Sequence, residues 1–145
     1  MSETTGPYEL GDPYELRVGV PDVATFRHLR TAAGMTDRPA EAVAAGLPRT
    51  WHGVTVHHDG HTVGMGRIVG DGGTVYQVTD VCVLPEHQGR GLGRRIMAHL
   101  DHALRTRAVP GAYVCLIADG HAHHLYAEYG FVPTAPHSIG MHRFV

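Results

Sequence analysis

An α+β domain built around a mainly antiparallel sheet is the fold class the sequence predicts, and three observations predict it. Three β-rich runs, WHGVTVHH (51–58), TVGMGRIV (62–69) and TVYQVTDVCVL (74–84), follow one another with DG at 59–60 and GDGG at 70–73 between them, the signals of tight hairpins. Residues 90–107 then place Leu92, Ile96, Leu100 and Leu104 at four-residue spacing, one apolar face of a helix. The chain has 145 residues, 43% of them hydrophobic, which suits one domain with a real core and not two.

The elements follow in order. Residues 1–14 read as an N-terminal arm carrying the first of two PYEL repeats (7–10 and 13–16), and the folded domain is expected over 15–145. ELRVGV (15–20) reads as a strand. Asp22, after Pro21, is placed to cap a helix carrying Val23, Phe26, Leu29 and Arg30, with Gly34 ending it. RPAEAVAAG (38–46) makes a short second helix, stopped by Gly46 and Pro48. After the three strands and the long helix come another strand, AYVCLIA (112–118), a short helix around Tyr126, and a last strand, SIGMHRFV (138–145). That terminal strand shows apolar alternation at an open edge, which would template a second copy of the chain and make a homodimer.

Composition removes several classes of function. A net charge of −2 and a pI near 6.7 give no general attraction to nucleic acid or to an anionic membrane. No apolar run approaches the roughly 20 residues of a membrane span, and the opening MSETTGPYELGDPYEL lacks the charged and apolar regions of a signal peptide, so a cytoplasmic location is expected. Cys82 and Cys115 sit in apolar strand runs and read as buried reduced thiols. All 12 basic residues are arginine, which rules out a Schiff-base lysine and a Walker-type phosphate lysine.

Chemistry is concentrated in PEHQGRGLGRRIM, residues 85–97, between the strand ending at Leu84 and the amphipathic helix. A strand that runs through a glycine-rich turn into a helix start leaves several backbone N–H groups without helical partners, and their aligned dipoles favour an anion. Gly89, Gly91 and Gly93 let the backbone approach a bulky phosphate, while Arg90, Arg94 and Arg95 add charge nearby. The plain alternative is a turn that only packs, with solvated arginines. The spacing fits neither GxxxxGK[ST], which needs a lysine, nor GxGxxG, which needs its third glycine one residue later.

VCVLPEHQGRGLG resembles the acetyl-CoA motif of the GCN5-related N-acetyltransferases (GNAT): Gln or Arg, two residues, Gly, one residue, then Gly or Ala, met here by Gln88, Gly91 and Gly93. The family's second hallmark, an apolar residue, Tyr, at least three residues and Gly-Phe, is matched by LYAEYGF at 125–131. The resemblance covers roughly residues 15–145. It implies a GNAT fold, with a central, mixed, mainly antiparallel and splayed sheet flanked by helices, and an acetyl-CoA-dependent N-acetyltransferase activity.

By position, the resemblance implies that backbone groups of Val81 and Val83 pair with the acetyl carbonyl and the pantetheine arm. It implies equally that Gln88, Gly89, Arg90, Gly91, Leu92, Gly93 and Arg94 hold the pyrophosphate. Tyr126 matches the tyrosine that protonates the departing thiolate; a phenol, with a pKa near 10, keeps its proton at neutral pH. Tyr129 reads as a packing aromatic. Some members carry a glutamate or histidine at the strand positions that are here Gln77 and Thr79, which do not ionise usefully and are expected only to line the acceptor site. Asp80 is the neighbouring candidate base. Simple alternation points it, with Tyr76, Val78 and Cys82, to the opposite face, and only a bulge would turn it inward.

The 13 histidines, HAHH at 121–124 and HH at 57–58 among them, supply two candidate ligands at a time, and no metal site is expected. His121 and His123 are better placed to line the acceptor cleft. Together the readings describe an N-acetyltransferase that moves acetyl directly from acetyl-CoA to a primary amine, a small molecule because no peptide-binding insertion is visible. A catalytically weak acetyl-CoA sensor or binding module and a histidine-rich metal binder are the competing classes.

Overall fold

A computed structural model describes residues 12–145, so most of the proposed arm, with the first PYEL, lies outside the described residues. The elements run β1 (Tyr14–Val18), α1 (Val23–Ala32), α2 (Ala40–Gly46), β2 (His52–His58), β3 (His61–Gly70), β4 (Val75–Val83), α3 (Leu92–Arg107), β5 (Tyr113–Cys115) and α4 (Ala122–Ala127). The five strands form one sheet in chain order, antiparallel except for the parallel β4–β5 pair. The second PYEL supplies the start of β1. Asp22 caps α1 as its chemistry requires, accepting the Thr25 N–H at 2.8 Å. No helix among the described residues is long and apolar enough to cross a membrane.

The sheet buries both faces. On one, α3 lays Leu92, Ile96, Met97 and Leu100 against Val54, Val56, Ile68, Tyr76 and Val78. On the other, α1 and α2 close Phe26, Leu29, Val43 and Leu47 over Met65 and Cys82. Glycine sets the depth of the first contact: a Cβ on Gly66 would stand 2.5 Å from Ile96 Cγ2, so α3 rests on bare β3 backbone there.

The β3–β4 register carries the feature that shapes the site. Met65 faces Cys82 and Arg67 faces Thr79, so Asp80 and Val81 together oppose the single residue Gly66, a β-bulge. Asp80 takes the left-handed conformation, φ 58°. Simple alternation therefore fails here. Tyr76 and Val78 point to the α3 face, but past the bulge Cys82 packs with α1, and Asp80 lies with it on the α1 side.

Two expected strands differ from the sequence reading. AYVCLIA contributes only Tyr113–Cys115, because β5 pairs with β4 at Val75–Gln77 and then diverges from it. SIGMHRFV forms no strand; Ile139, Met141, Phe144 and Val145 are exposed. Apolar alternation marks a segment that can be a strand, but a strand exists only through hydrogen bonds to a partner. Cys115, expected to be buried, is partly exposed, while Cys82 is buried.

Candidate active site

Past its last pair with β5, at Gln77–Cys115, β4 runs on through Val83 with that edge open. Val81 and Val83 stand on this open stretch, with their side chains in or against the α3-side core. Gln88 Nε2 donates to the Val83 carbonyl at 2.9 Å and ties the following turn to the strand end. Tyr14, buried on β1, meets His87 Nδ1 through its hydroxyl at 2.8 Å and braces the same turn.

The turn then opens into α3. Gly89 and Gly91 have φ of 77° and 78°, which L-residues adopt at a cost, and no side chain caps the helix behind Gly91. Its first intrahelical bond is Arg95 N–H to Gly91 O, so the N–H groups of Leu92, Gly93 and Arg94 point outward along the dipole. The Leu92 side chain is 2% exposed, leaving its backbone as the group it can offer a ligand. Arg90 is exposed at the loop. Arg94 and Arg95 are otherwise engaged: Arg94 makes a bidentate pair with Glu128 at 2.9 Å, and Arg95 reaches Asp12 at 3.0 Å. The arrangement is an anion cradle made mostly of backbone, with Arg90 as its unpaired guanidinium among the described residues.

α4 stands beside the start of α3, joined to it by the Arg94–Glu128 pair. Tyr126 is half-buried against the α3-side core, and burial, with Asp119 and Cys82 adding to the effect, raises its phenol above the usual value, which holds the proton on oxygen. Cys82 itself is pushed up to about 12 by burial, with Asp80 adding to the effect and Arg30 opposing it. It is a thiol and not a thiolate at neutral pH. Tyr129 packs on the α3-side core and donates its hydroxyl to the Arg94 carbonyl at 3.0 Å, a brace between α4 and α3.

On the α1 side of the sheet, Phe26, Arg38, Ala42, Val43, Gly46, Leu47, Arg67, Thr79 and Asp80 line a cavity of about 160 Å³. Asp80 is the hub of its polar wall. One carboxylate oxygen accepts Arg30 Nη1 and the other Arg67 Nε, each at 2.6 Å. Arg30 also holds the Thr36 carbonyl, and Arg67 holds Thr50 Oγ1 while lying over the Phe26 ring. Thr79 and Asp80 thus meet in this cavity. Gln77 stands opposite Cys115 and His121 at the exposed start of α4, and neither lines it.

Arg30, Arg38 and Arg67 are site residues that sequence reasoning missed. A signal was present: Arg30 shares the apolar face of α1 with Phe26 and Leu29, and Arg67 interrupts an apolar strand, so each needed a buried carboxylate. The histidines mostly meet one another, as in the His52–His99 stack at 5.2 Å and the His123–His124 contact at 4.0 Å. Among the described residues no three His, Cys, Asp or Glu side chains converge as metal ligands.

A mixed sheet that opens beside a glycine-rich helix start is the arrangement of the GNAT fold. The chain belongs to this family: the acetyltransferase (GNAT) domain model matches residues 50–133, more than half of its length. A crystal structure of a Staphylococcus aureus protein described as a probable acetyltransferase is 39% identical, with a TM-score of 0.87 over 91% of this chain and 99% of that one. The chloroplastic GCN5-related N-acetyltransferase 2 of Arabidopsis thaliana is 29% identical over 130 residues, 76% of this chain and 50% of that protein. A Gibberella zeae protein described as a putative acetyltransferase is 49% identical over 43 residues, 30% of this chain and 24% of its own. The chain thus spans half the length of one curated relative and a quarter of the other.

Proposed function

We propose that the protein transfers acetyl from acetyl-CoA directly to the primary amine of a small molecule, in a ternary complex without an acyl-enzyme. The observation that carries this reading is the β4 edge left open past Gln77, leading into the glycine-rich start of α3 at Gly89–Arg94. The fit to acetyl-CoA is chemical. Outward N–H groups at α3 suit a pyrophosphate, and the β4 edge at Val81 and Val83, open past the β5 pairing although Gln88 already occupies the Val83 carbonyl, suits a pantetheine arm added as a strand.

In the proposed reaction the neutral amine, entering from the Thr79–Asp80 side, attacks the thioester carbonyl. As the C–S bond breaks, Tyr126 gives its proton to the leaving thiolate and recovers one from solvent; the amine's own proton leaves through water. Both oxygens of Asp80 are already committed to guanidinium groups, so we assign it to positioning Arg30 and Arg67 and not to removing that proton. Cys82, neutral and buried, has no part as an acyl carrier.

The test is acetyl-CoA-dependent transfer across a panel of amines, with Tyr126→Phe alongside. Turnover falls about 10- to 1,000-fold in the variant, within the range of a lost general acid and its positioning, while acetyl-CoA affinity holds. Because an alkyl ammonium has a pKa near 10, kcat/KM rises from pH 6 to at least 8.5 and its profile moves with the basicity of the acceptor. Turnover near wild type in Tyr126→Phe, or a limb near pH 5–7 common to all acceptors and lost in Asp80→Asn, would contradict these roles. Acetyl-CoA binding without transfer to any amine would instead indicate a sensor.

A further inference from the structure

We infer that the acceptor carries a carboxylate close to its amine and is of amino-acid size, with Arg38 and Arg67 as the groups that select it. The inference rests on the acetyltransferase reading, and it narrows the acceptor from any primary amine to one chemical class.

The argument begins with charge. Three arginines, Arg30, Arg38 and Arg67, stand at or directly behind the cavity wall, and Asp80 is the one carboxylate that lines it. The pairing is tight and deep: the side chains of Arg30 and Asp80 are each 5% exposed and that of Arg67 is 16% exposed. One carboxylate cannot neutralise both the buried Arg30 and the partly buried Arg67, and a cation withdrawn from water without compensation is costly unless an anion joins it. Asp37, the nearby acid, is itself held in a bidentate pair by Arg27 at 2.8 and 3.1 Å; its Oδ1 also accepts the Arg38 backbone N–H at 2.8 Å, but it offers the Arg38 guanidinium only its backbone carbonyl.

Donor geometry agrees. A guanidinium has five N–H groups, and Arg67 has bonds from Nε and Nη1, to Asp80 and Thr50, among the described residues. Arg67 and Arg38 both line the cavity, and a guanidinium with N–H groups to spare can bind a carboxylate in planar, bidentate fashion. Phe144 lies against Arg38, 5.3 Å from guanidinium carbon to ring centroid, and holds it at the rim.

Size and lining complete the description. About 160 Å³ walled by Phe26, Ala42, Val43 and Leu47 has room for a small aliphatic group and not for an oligosaccharide or an extended chain. Polyamines and aminoglycosides are repelled by such a wall, since their additional ammonium groups would face arginine. The same positive field disfavours the charged form of the acceptor's amine, and so helps to supply the neutral nucleophile where no base is available.

The experiment compares free L-amino acids with their matched carboxamides, together with O-phosphoethanolamine and spermidine, in the wild type and in Arg38→Gln. Acetyl transfer is one readout, and calorimetric binding in the presence of CoA is the second. At least one free amino acid is expected to exceed its amide about 100-fold in kcat/KM, the discrimination of a site built to hydrogen-bond the missing group. Arg38→Gln should remove about 10-fold or more of that preference by raising KM for the acid, without moving KM for the amide or for acetyl-CoA. Transfer to amides or spermidine as good as to every acid, or a phosphate amine preferred 10-fold over all carboxylates, overturns the inference while leaving the acetyltransferase reading intact. Binding of an acid that depends on Arg38, with no transfer to any amine, supports the carboxylate site and overturns the catalytic reading. The absence of both binding and transfer for every acid overturns the inference.

Discussion

Replacing Asp80 with Asn isolates one buried charge. The carboxylate makes two ion pairs at 2.6 Å, and its side chain and that of Arg30 are 5% exposed. Asparagine preserves shape and tolerates the left-handed conformation at φ 58°, so backbone strain does not enter the comparison. Its amide oxygen can accept from one guanidinium, but its NH2 turns a donor toward the other, and two buried cations lose their counter-charge. Breaking a buried pair from one side costs about 3–5 kcal/mol. For a domain of this length that lowers Tm by roughly 10–20 °C, and with a urea m-value of about 2 kcal/mol/M it moves the midpoint by about 2 M. The assay is equilibrium urea unfolding followed by circular dichroism, with m compared between the two proteins. A loss under about 1 kcal/mol at unchanged m, the scale of a surface pair, would refute the claim that this network is dry and mutually dependent.

Three further outcomes are expected. Gly91→Glu places a carboxylate in the anion cradle; a Cβ there meets no atom within 4 Å, so the cost to the fold is the strain of φ 78°, about 1–2 kcal/mol, while acetyl-CoA binding is lost; calorimetry showing unchanged affinity would contradict the cradle. Gly66→Ala drives a methyl into Ile96 at 2.5 Å and costs about 1–3 kcal/mol; thermal unfolding at wild-type temperature would show that α3 has room to move. Cys82, with its thiol near 12 when folded against the ordinary value near 9, binds a proton that the unfolded chain releases first, so its contribution is constant below pH 9 and stability then falls by at most about 1.4 kcal/mol per pH unit between 9 and 12. Unfolding followed across that range should lose this slope in Cys82→Ala, and iodoacetamide at pH 8 should label Cys82 in the unfolded chain and not in the folded one.

Much of this protein is determined by local patterns in the chain. Hairpin turns at 59–60 and 70–73, the cap at Asp22 and the four-residue repeat of α3 act through neighbouring residues, and each element appeared where its residues placed it. The glycine turn at 89–91 is equally local, since positive φ and orphan helical N–H groups depend on the turn itself. Tertiary structure decided the rest. The bulge that turns Asp80 toward α1 depends on pairing two β4 residues with Gly66 of β3, and Gly66 is glycine because α3, 30 positions further along, needs the space. Ion pairs of Arg30 and Arg67 with one aspartate join elements 50 and 13 residues apart, a convergence that periodicity within a segment does not encode. SIGMHRFV fails as a strand for the same reason: its alternation is a property of the segment, but its pairing would be a property of the fold. Propensity acts along the chain, whereas charge compensation, close packing and strand pairing act between segments, so the glycine turn into α3 was legible in the sequence and the Asp80 network was not.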